Sequence, residues 1–157
     1  DVFVFCSLTG LAFTDVQHLT PEHIMQDNTG GYWIRKPREK TNNMCNIPLL
    51  DMPRLIAEKY KGHPECTKRG VVLPVPSNQR MNSYLKELAD ICGIKKNLST
   101  HVARHTFACV AIANKVSMES IAKMLGHTDI RTTKIYARLL DRTVSEEMNV
   151  LRQKFCV

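Results

Sequence analysis

The sequence predicts an α+β domain, mainly α-helical, with a small three-stranded antiparallel sheet. Three observations lead there. Apolar residues recur at helical spacing between start and stop residues over most of the chain. A turn-rich run, Asn28-Thr29-Gly30-Gly31, separates two short stretches at 22–26 and 32–36 and suits a hairpin. A third short strand is read at Met44–Pro48.

In chain order, residues 2–9 read as a buried helix stopped at Gly10, followed by a helical turn over Thr14–Leu19 with Thr14 as N-cap. Thr20-Pro21 breaks that turn and leads into the hairpin. After the third strand, Asp51 as cap and Pro53 in the first turn open a helix to about Lys61. Gly62, Pro64, Gly70, Pro74 and Pro76 mark 62–76 as a loop around a short apolar piece, Val71–Leu73. Ser77 or Asn78 caps a helix to Cys92 that Gly93 ends. Three helices are then expected at roughly 100–114, 117–125 and 129–139, and a last amphipathic stretch at 143–155.

With 157 residues, the chain has the size of one domain with its own core. Its net charge of +7 favours a polyanionic partner, the alternative being a soluble basic domain that binds no nucleic acid. Six cysteines, Cys6, Cys45, Cys66, Cys92, Cys109 and Cys156, show no paired spacing and read as reduced, mostly buried thiols. No ligand spacing supports a metal site, no cofactor motif is present, and no apolar run reaches the length of a membrane span. The chain opens without methionine on an apolar segment, residues 2–11, so it is expected to be a fragment whose upstream part is missing.

The chemistry concentrates between Thr100 and Tyr136. His101 and Arg104 are spaced i, i+3 and share one face of a helix. His127 follows in a later segment, with Tyr136 nine residues beyond it. Arginine binds phosphate as a planar, permanently charged fork, histidine donates or relays protons near neutral pH, and a tyrosine hydroxyl beside them is a candidate nucleophile. The expected reaction is phosphoryl transfer. His105, adjacent to Arg104, points elsewhere on the helix and reads as a structural hydrogen-bonder. His18, His23 and His63 have no partner pattern and read as surface residues.

The motifs T-H-V-A-R-H-T-F-A and L-G-H-T-D-I-R-T-T-K-I-Y resemble the signature of the tyrosine recombinases, the phage integrase family. Upstream, Thr9-Gly10-Leu11 resembles the family's T-G-L-R box and Lys40-Thr41 its β-hairpin lysine, so the resemblance covers nearly the whole chain in order. It implies a tyrosine recombinase catalytic domain over residues 1–157, lacking the N-terminal DNA core-binding domain, with 143–157 as a C-terminal exchange helix. It also implies site-specific cleavage and rejoining of double-stranded DNA without metal or ATP, by a homo-oligomer (a tetramer) on DNA, in a bacterial cytoplasm.

On this resemblance Tyr136 attacks the scissile phosphate to form a 3′-phosphotyrosyl bond, and Arg104 clamps the non-bridging oxygens. His127 hydrogen-bonds the same phosphate, His101 accepts a proton or contacts the phosphate, and Lys40 protonates the leaving 5′-oxygen. Asp15 matches an acidic position that supports the site from behind. The family's first arginine follows T-G-L, whereas this chain has Ala12. Arg38, two residues before Lys40 and in phase with it on an extended hairpin, is the expected replacement. A first box without arginine also resembles the integrases of conjugative transposons in Bacteroides-type bacteria. Arg35, Lys36, Arg131 and Lys134 are expected among the DNA-phosphate contacts, with Lys95, Lys96 and Arg138 flanking the motifs.

Two alternatives lack chemistry. Residues 117–139 also resemble a helix-turn-helix, which would make the chain a sequence-reading DNA binder. Ala12 raises a third class, an inactive recombinase relative kept for binding. Finally, Val144, Met148, Leu151 and Phe155 fall near one helical face, suited either to a neighbouring protomer or to the chain's own domain.

Overall fold

In the computed structural model, residues 1–136 are described together with Met148 and Arg152. The expected exchange helix over 143–157 and Arg138 otherwise lie outside the described residues.

Helix α1, Val2–Thr9, ends where expected, because Gly10 takes a left-handed φ of 70° and returns its N–H to the Cys6 carbonyl. Helix α2 spans Phe13–Gln17 with Ala12, not Thr14, as its extended N-cap. The earlier start turns Asp15 and Val16 inward, and Asp15 in the first turn complements the helix dipole.

A short 3-10 turn, Pro21–His23, precedes the sheet. Its strands are β1, Ile24–Gln26, β2, Tyr32–Pro37, and β3, Met44–Pro48, antiparallel in the order β1-β2-β3. The register pairs Ile34 with Ile47 and Lys36 with Cys45, and those four residues form the buried face. Period-2 alternation puts Lys36 on the same face as Ile34, so the strand carries a lysine inside.

Helix α3, Asp51–Lys59, is capped by Leu50, and Asp51 is its first residue, where a carboxylate still favours the N-terminus. The expected loop 62–76 contains a helix, α4, Pro64–Arg69, with proline at its start and Gly70 left-handed after its end. Its six residues are too few for a periodic signal. Helices α5, Asn78–Ile91, α6, Thr100–Ala113, and α7, Met118–Leu125, are capped by Ser77, Ser99 and Ser117, each accepting a backbone N–H.

Beyond α7 the chain forms two 3-10 turns, Ile130–Thr132 and Lys134–Tyr136, over the described part of the helix expected at 129–139. Where the helix-turn-helix reading expects its second helix, the described residues form 3-10 turns as far as Tyr136, and residues 137–139 lie outside the described residues. Two apolar clusters hold the domain. One joins α1, α2, the sheet, α3 and the Val72–Val75 segment, and the other joins α6, α7 and Tyr136. No described helix is long and apolar enough to cross a membrane.

Candidate active site

The site is organised around one buried cation. Helix α6 packs Ala103, Phe107, Ala108, Ala111 and Ile112 inward, and Arg104 shares that face with only 7% of its surface exposed. Its guanidinium Nη1 donates to the Gly10 carbonyl at 2.6 Å and Nη2 to the Leu125 carbonyl at 2.7 Å. Those carbonyls lie at the C-terminal ends of α1 and α7, where backbone acceptors lack helical partners and the dipoles are negative. Two helix ends therefore hold the guanidinium in place.

Both ends close on glycine for a steric reason. At Gly10 a Cβ would lie 2.5 Å from Phe107 Cδ1, and at Gly126, with φ of 63°, it would lie 2.7 Å from Arg38 Cδ. The glycines of the T-G-L and L-G-H motifs thus allow the chain to turn and let their neighbours approach.

His127 follows Gly126. Its Nε2 is 3.2 Å from Arg104 Nη2, and its Nδ1 is 2.9 Å from Thr133 Oγ1. A guanidinium can only donate, so Nε2 accepts and the ring proton is assigned to Nδ1, which donates to Thr133. Burial, then the charges of Arg104 and Arg38, push the His127 pKa down to about 4. Thr133 is fully buried and was missed by the sequence reading. The threonine pair preceding Lys134 was the available signal, but only the 3-10 turns bring Thr133 back to the histidine.

Arg38 lies beside this cluster. Its side chain packs on Gly126, and its charge, after burial, depresses the pKa of Arg104 as well as that of His127. Arg38 Nε is 3.7 Å from Asp15 Oδ2, one helical turn beyond Ala12. Neither atom has a hydrogen-bond partner among the described residues. Arg38 lies past the end of the strand, so strand period does not set its direction. β2 ends at Pro37, and Arg38 is set by pairing with Asn43 and by Asp15.

On the outer side of α6, His101 Nε2 and His105 Nε2 are 2.7 Å apart, with rings edge-to-face. The His105 ring also meets the Tyr136 ring edge-on at 5.3 Å between centroids. Burial, then the charges of His101, Arg104 and Lys96, lower the His105 pKa. Tyr136 is 7% exposed, in the apolar cluster with Phe107 and Leu125. Burial raises its pKa, and Arg104 pulls it back down.

The remaining predicted residues scatter. Lys40 is exposed in the β2–β3 turn. Arg35 is exposed, with its guanidinium over the Trp33 ring, and Arg131 is exposed and paired with Asp129 at 2.6 Å. Lys134 begins the last 3-10 turn. Lys36, expected to face DNA, is instead 4% exposed, with its ammonium 2.7 Å from Glu39 Oε1. Its strand face is the covered one.

Residues 2–143 match the phage integrase family. The tyrosine recombinase XerD of Halalkalibacterium halodurans is 40% identical over 63 residues, covering 40% of this chain and 21% of that protein. The XerH site-specific recombinase bound to palindromic difH substrate superposes with a TM-score of 0.74 at 15% identity, over 96% of this chain and 45% of that one. The catalytic domain of bacteriophage HP1 integrase gives 0.62 at 24% identity, over 92% and 79%. The chain therefore spans about a fifth of the XerD relative's length. Its fold is that of the tyrosine recombinase catalytic domain. The chain belongs to the phage integrase family.

Proposed function

We propose that this domain cleaves and rejoins double-stranded DNA at specific sites through a covalent 3′-phosphotyrosyl intermediate. The observation that carries the reading is the gathering of two arginines at His127: Arg104 Nη2 lies 3.2 Å from His127 Nε2, and the Arg38 side chain packs on the adjacent Gly126. Like charges held this close in a partly buried site favour an anion between them, and a phosphodiester supplies one.

In the proposed step, the Tyr136 oxygen attacks phosphorus while the bond from phosphorus to the 5′-oxygen breaks. The tyrosine proton passes to His101, and Lys40 delivers a proton to the leaving 5′-oxygen. Arg104 and Arg38 take the charge that builds on the non-bridging oxygens. Burial raises the cost of forming the phenolate, and Arg104 offsets part of it. Rejoining reverses the step with a new 5′-hydroxyl, so the bond energy is retained in the protein–DNA link.

Arg38 fills the charge missing at Ala12. Its ion-pair partner Asp15, one helical turn past Ala12, supports that assignment. A first box without arginine aligns the chain with the integrases of conjugative transposons in Bacteroides-type bacteria. Work on DNA as a homotetramer in a bacterial cytoplasm, with Arg35, Arg131 and Lys134 at phosphates, belongs to the same reading.

The test is trapping on a nicked suicide duplex. The unaltered chain is expected to yield a denaturant-resistant protein–DNA adduct, and Tyr136→Phe to bind without forming one. Arg38→Ala is expected to lower the adduct rate roughly 100- to 1,000-fold, the usual effect of removing one transition-state donor. An adduct from Tyr136→Phe would remove Tyr136 as the nucleophile. An undiminished rate in Arg38→Ala would leave the charge missing at Ala12 unreplaced.

A further inference from the structure

The hairpin tip that carries Arg38 and Lys40 has little backbone to hold it. β2 stops at Pro37 and β3 starts at Met44, and the intervening residues close with Arg38 N–H to Asn43 O at 2.9 Å and Asn42 N–H to Arg38 O at 2.8 Å. Residues 39–42 are exposed. Such a tip would swing unless side chains hold it, and a displacement of about 1 Å costs a catalytic group roughly 100-fold in rate.

Glu39 sits between the two cations and is held from three sides. Its N–H donates to the buried Asp15 Oδ1 at 2.9 Å, its Oε1 accepts from Lys36 Nζ at 2.7 Å, and His18 Nδ1 lies 3.8 Å from the same oxygen. Lys36 is the decisive partner. A buried ammonium is costly without a counter-charge, and the Lys36 pair with Glu39 supplies it from the strand's covered face. The lysine hydrogen bond and charge hold the Glu39 carboxyl below the usual carboxylate range.

The geometry points to Lys36 and Glu39 as a latch that sets the reach of the hairpin tip, with Lys36 a positioning residue for Arg38 and Lys40 and not a DNA contact. This rests on the proposed strand-cleavage reading. The pair spans the end of β2, tying the last inward residue of the strand to the first exposed residue of the turn. Asp15 then ties both Glu39, through its backbone, and Arg38, through its side chain, to α2.

The test compares Glu39→Gln, Lys36→Met, Lys36→Arg and the Glu39→Gln/Lys36→Met double variant. Adduct formation and DNA affinity are measured over a series of salt concentrations, with thermal melting as a check on folding. Glu39 is partly exposed, so Glu39→Gln keeps the fold even if Lys36→Met does not. A latch predicts that Glu39→Gln slows adduct formation roughly 10- to 100-fold with DNA affinity changed less than about twofold. It also predicts that the double variant is no slower than the slower single variant, and that Lys36→Arg restores most of the rate.

Three outcomes overturn the proposal. If Lys36→Met weakens binding and lowers the salt slope by about one, Lys36 is a phosphate contact. If Lys36→Met abolishes the adduct while Glu39→Gln leaves it intact, Lys36 acts on the substrate directly. If no single variant changes the rate, the pair does not position the tip. If the unaltered chain forms no adduct, the strand-cleavage reading fails instead of the latch.

Discussion

Gly10→Ala is expected to destabilise the domain more than Gly126→Ala, although both glycines end a helix in the left-handed region. The conformational part is shared, because an L-residue at φ of 70° or 63° costs about 1–2 kcal/mol. The packing part differs. At Gly10 the new methyl would meet Phe107 Cδ1 at 2.5 Å, Leu125 Cδ2 at 2.8 Å and Phe107 Cε1 at 3.0 Å. These atoms lie in the second apolar cluster, and overpacking such a site adds about 1–3 kcal/mol. At Gly126 the nearest atoms are Arg38 Cδ at 2.7 Å, Cys45 Sγ at 2.9 Å and Arg38 Cγ at 3.1 Å. The arginine can swing outward, but the buried Cys45 thiol must also shift, a smaller overpacking than the two contacts with the Phe107 ring at Gly10.

The expected losses are therefore about 2–5 kcal/mol at Gly10, the sum of both parts, and about 1–2 kcal/mol at Gly126 before its smaller packing part. In a domain of this size, that is roughly 4–20 °C of Tm against 2–8 °C before that part. Urea unfolding of the two variants measures the difference directly. On the proposed role of Arg38, the adduct assay should invert the order relative to stability, because the added methyl at Gly126 would displace the Arg38 side chain. Equal destabilisation, or a larger loss at Gly126, would refute the packing argument.

Two further outcomes follow from the ionisable groups. His127 is held neutral in the fold, with its pKa down at about 4 against an ordinary value of 6.5. Between those values the unfolded chain binds the extra proton, so this contribution is present above pH 6.5 and is lost as pH falls toward 4. His105, whose pKa is also lowered, acts in the same direction. His127→Asn should lose less stability than the unaltered chain over that window, read by thermal melting at a series of pH values. A steeper acid loss in the variant would contradict the assignment. The cysteines should also separate by reactivity. Burial pushes the Cys6 thiol up to about 12 and Cys45 to about 11, while Cys92 is exposed. A thiol reagent at pH 8 should label Cys92 in the folded protein and reach Cys6 and Cys45 only on unfolding, as mass mapping would show.

Local physics was legible in the sequence wherever it was carried by neighbouring residues. Ser77 starts a helix because its hydroxyl caps an N–H three residues on, whereas the caps expected at Thr14 and Asp51 fall at Ala12 and Leu50. Gly10 ends α1 because glycine takes the left-handed turn without steric cost. The Asn28–Gly31 turn marked the hairpin of β1 and β2, and Met44–Pro48 was read as the third strand.

What the tertiary structure decided was which groups meet. No local signal says that the ends of α1 and α7 converge on Arg104, since Gly10 and Leu125 lie 94 and 21 residues away from it. Nor does spacing reveal Thr133 under His127, because that contact requires 3-10 turns where helical periodicity suggested a helix. Lys36 shows the limit most plainly. Strand period assigns a side chain to a face, but only packing determines whether that face meets solvent, and here it meets the core and Glu39.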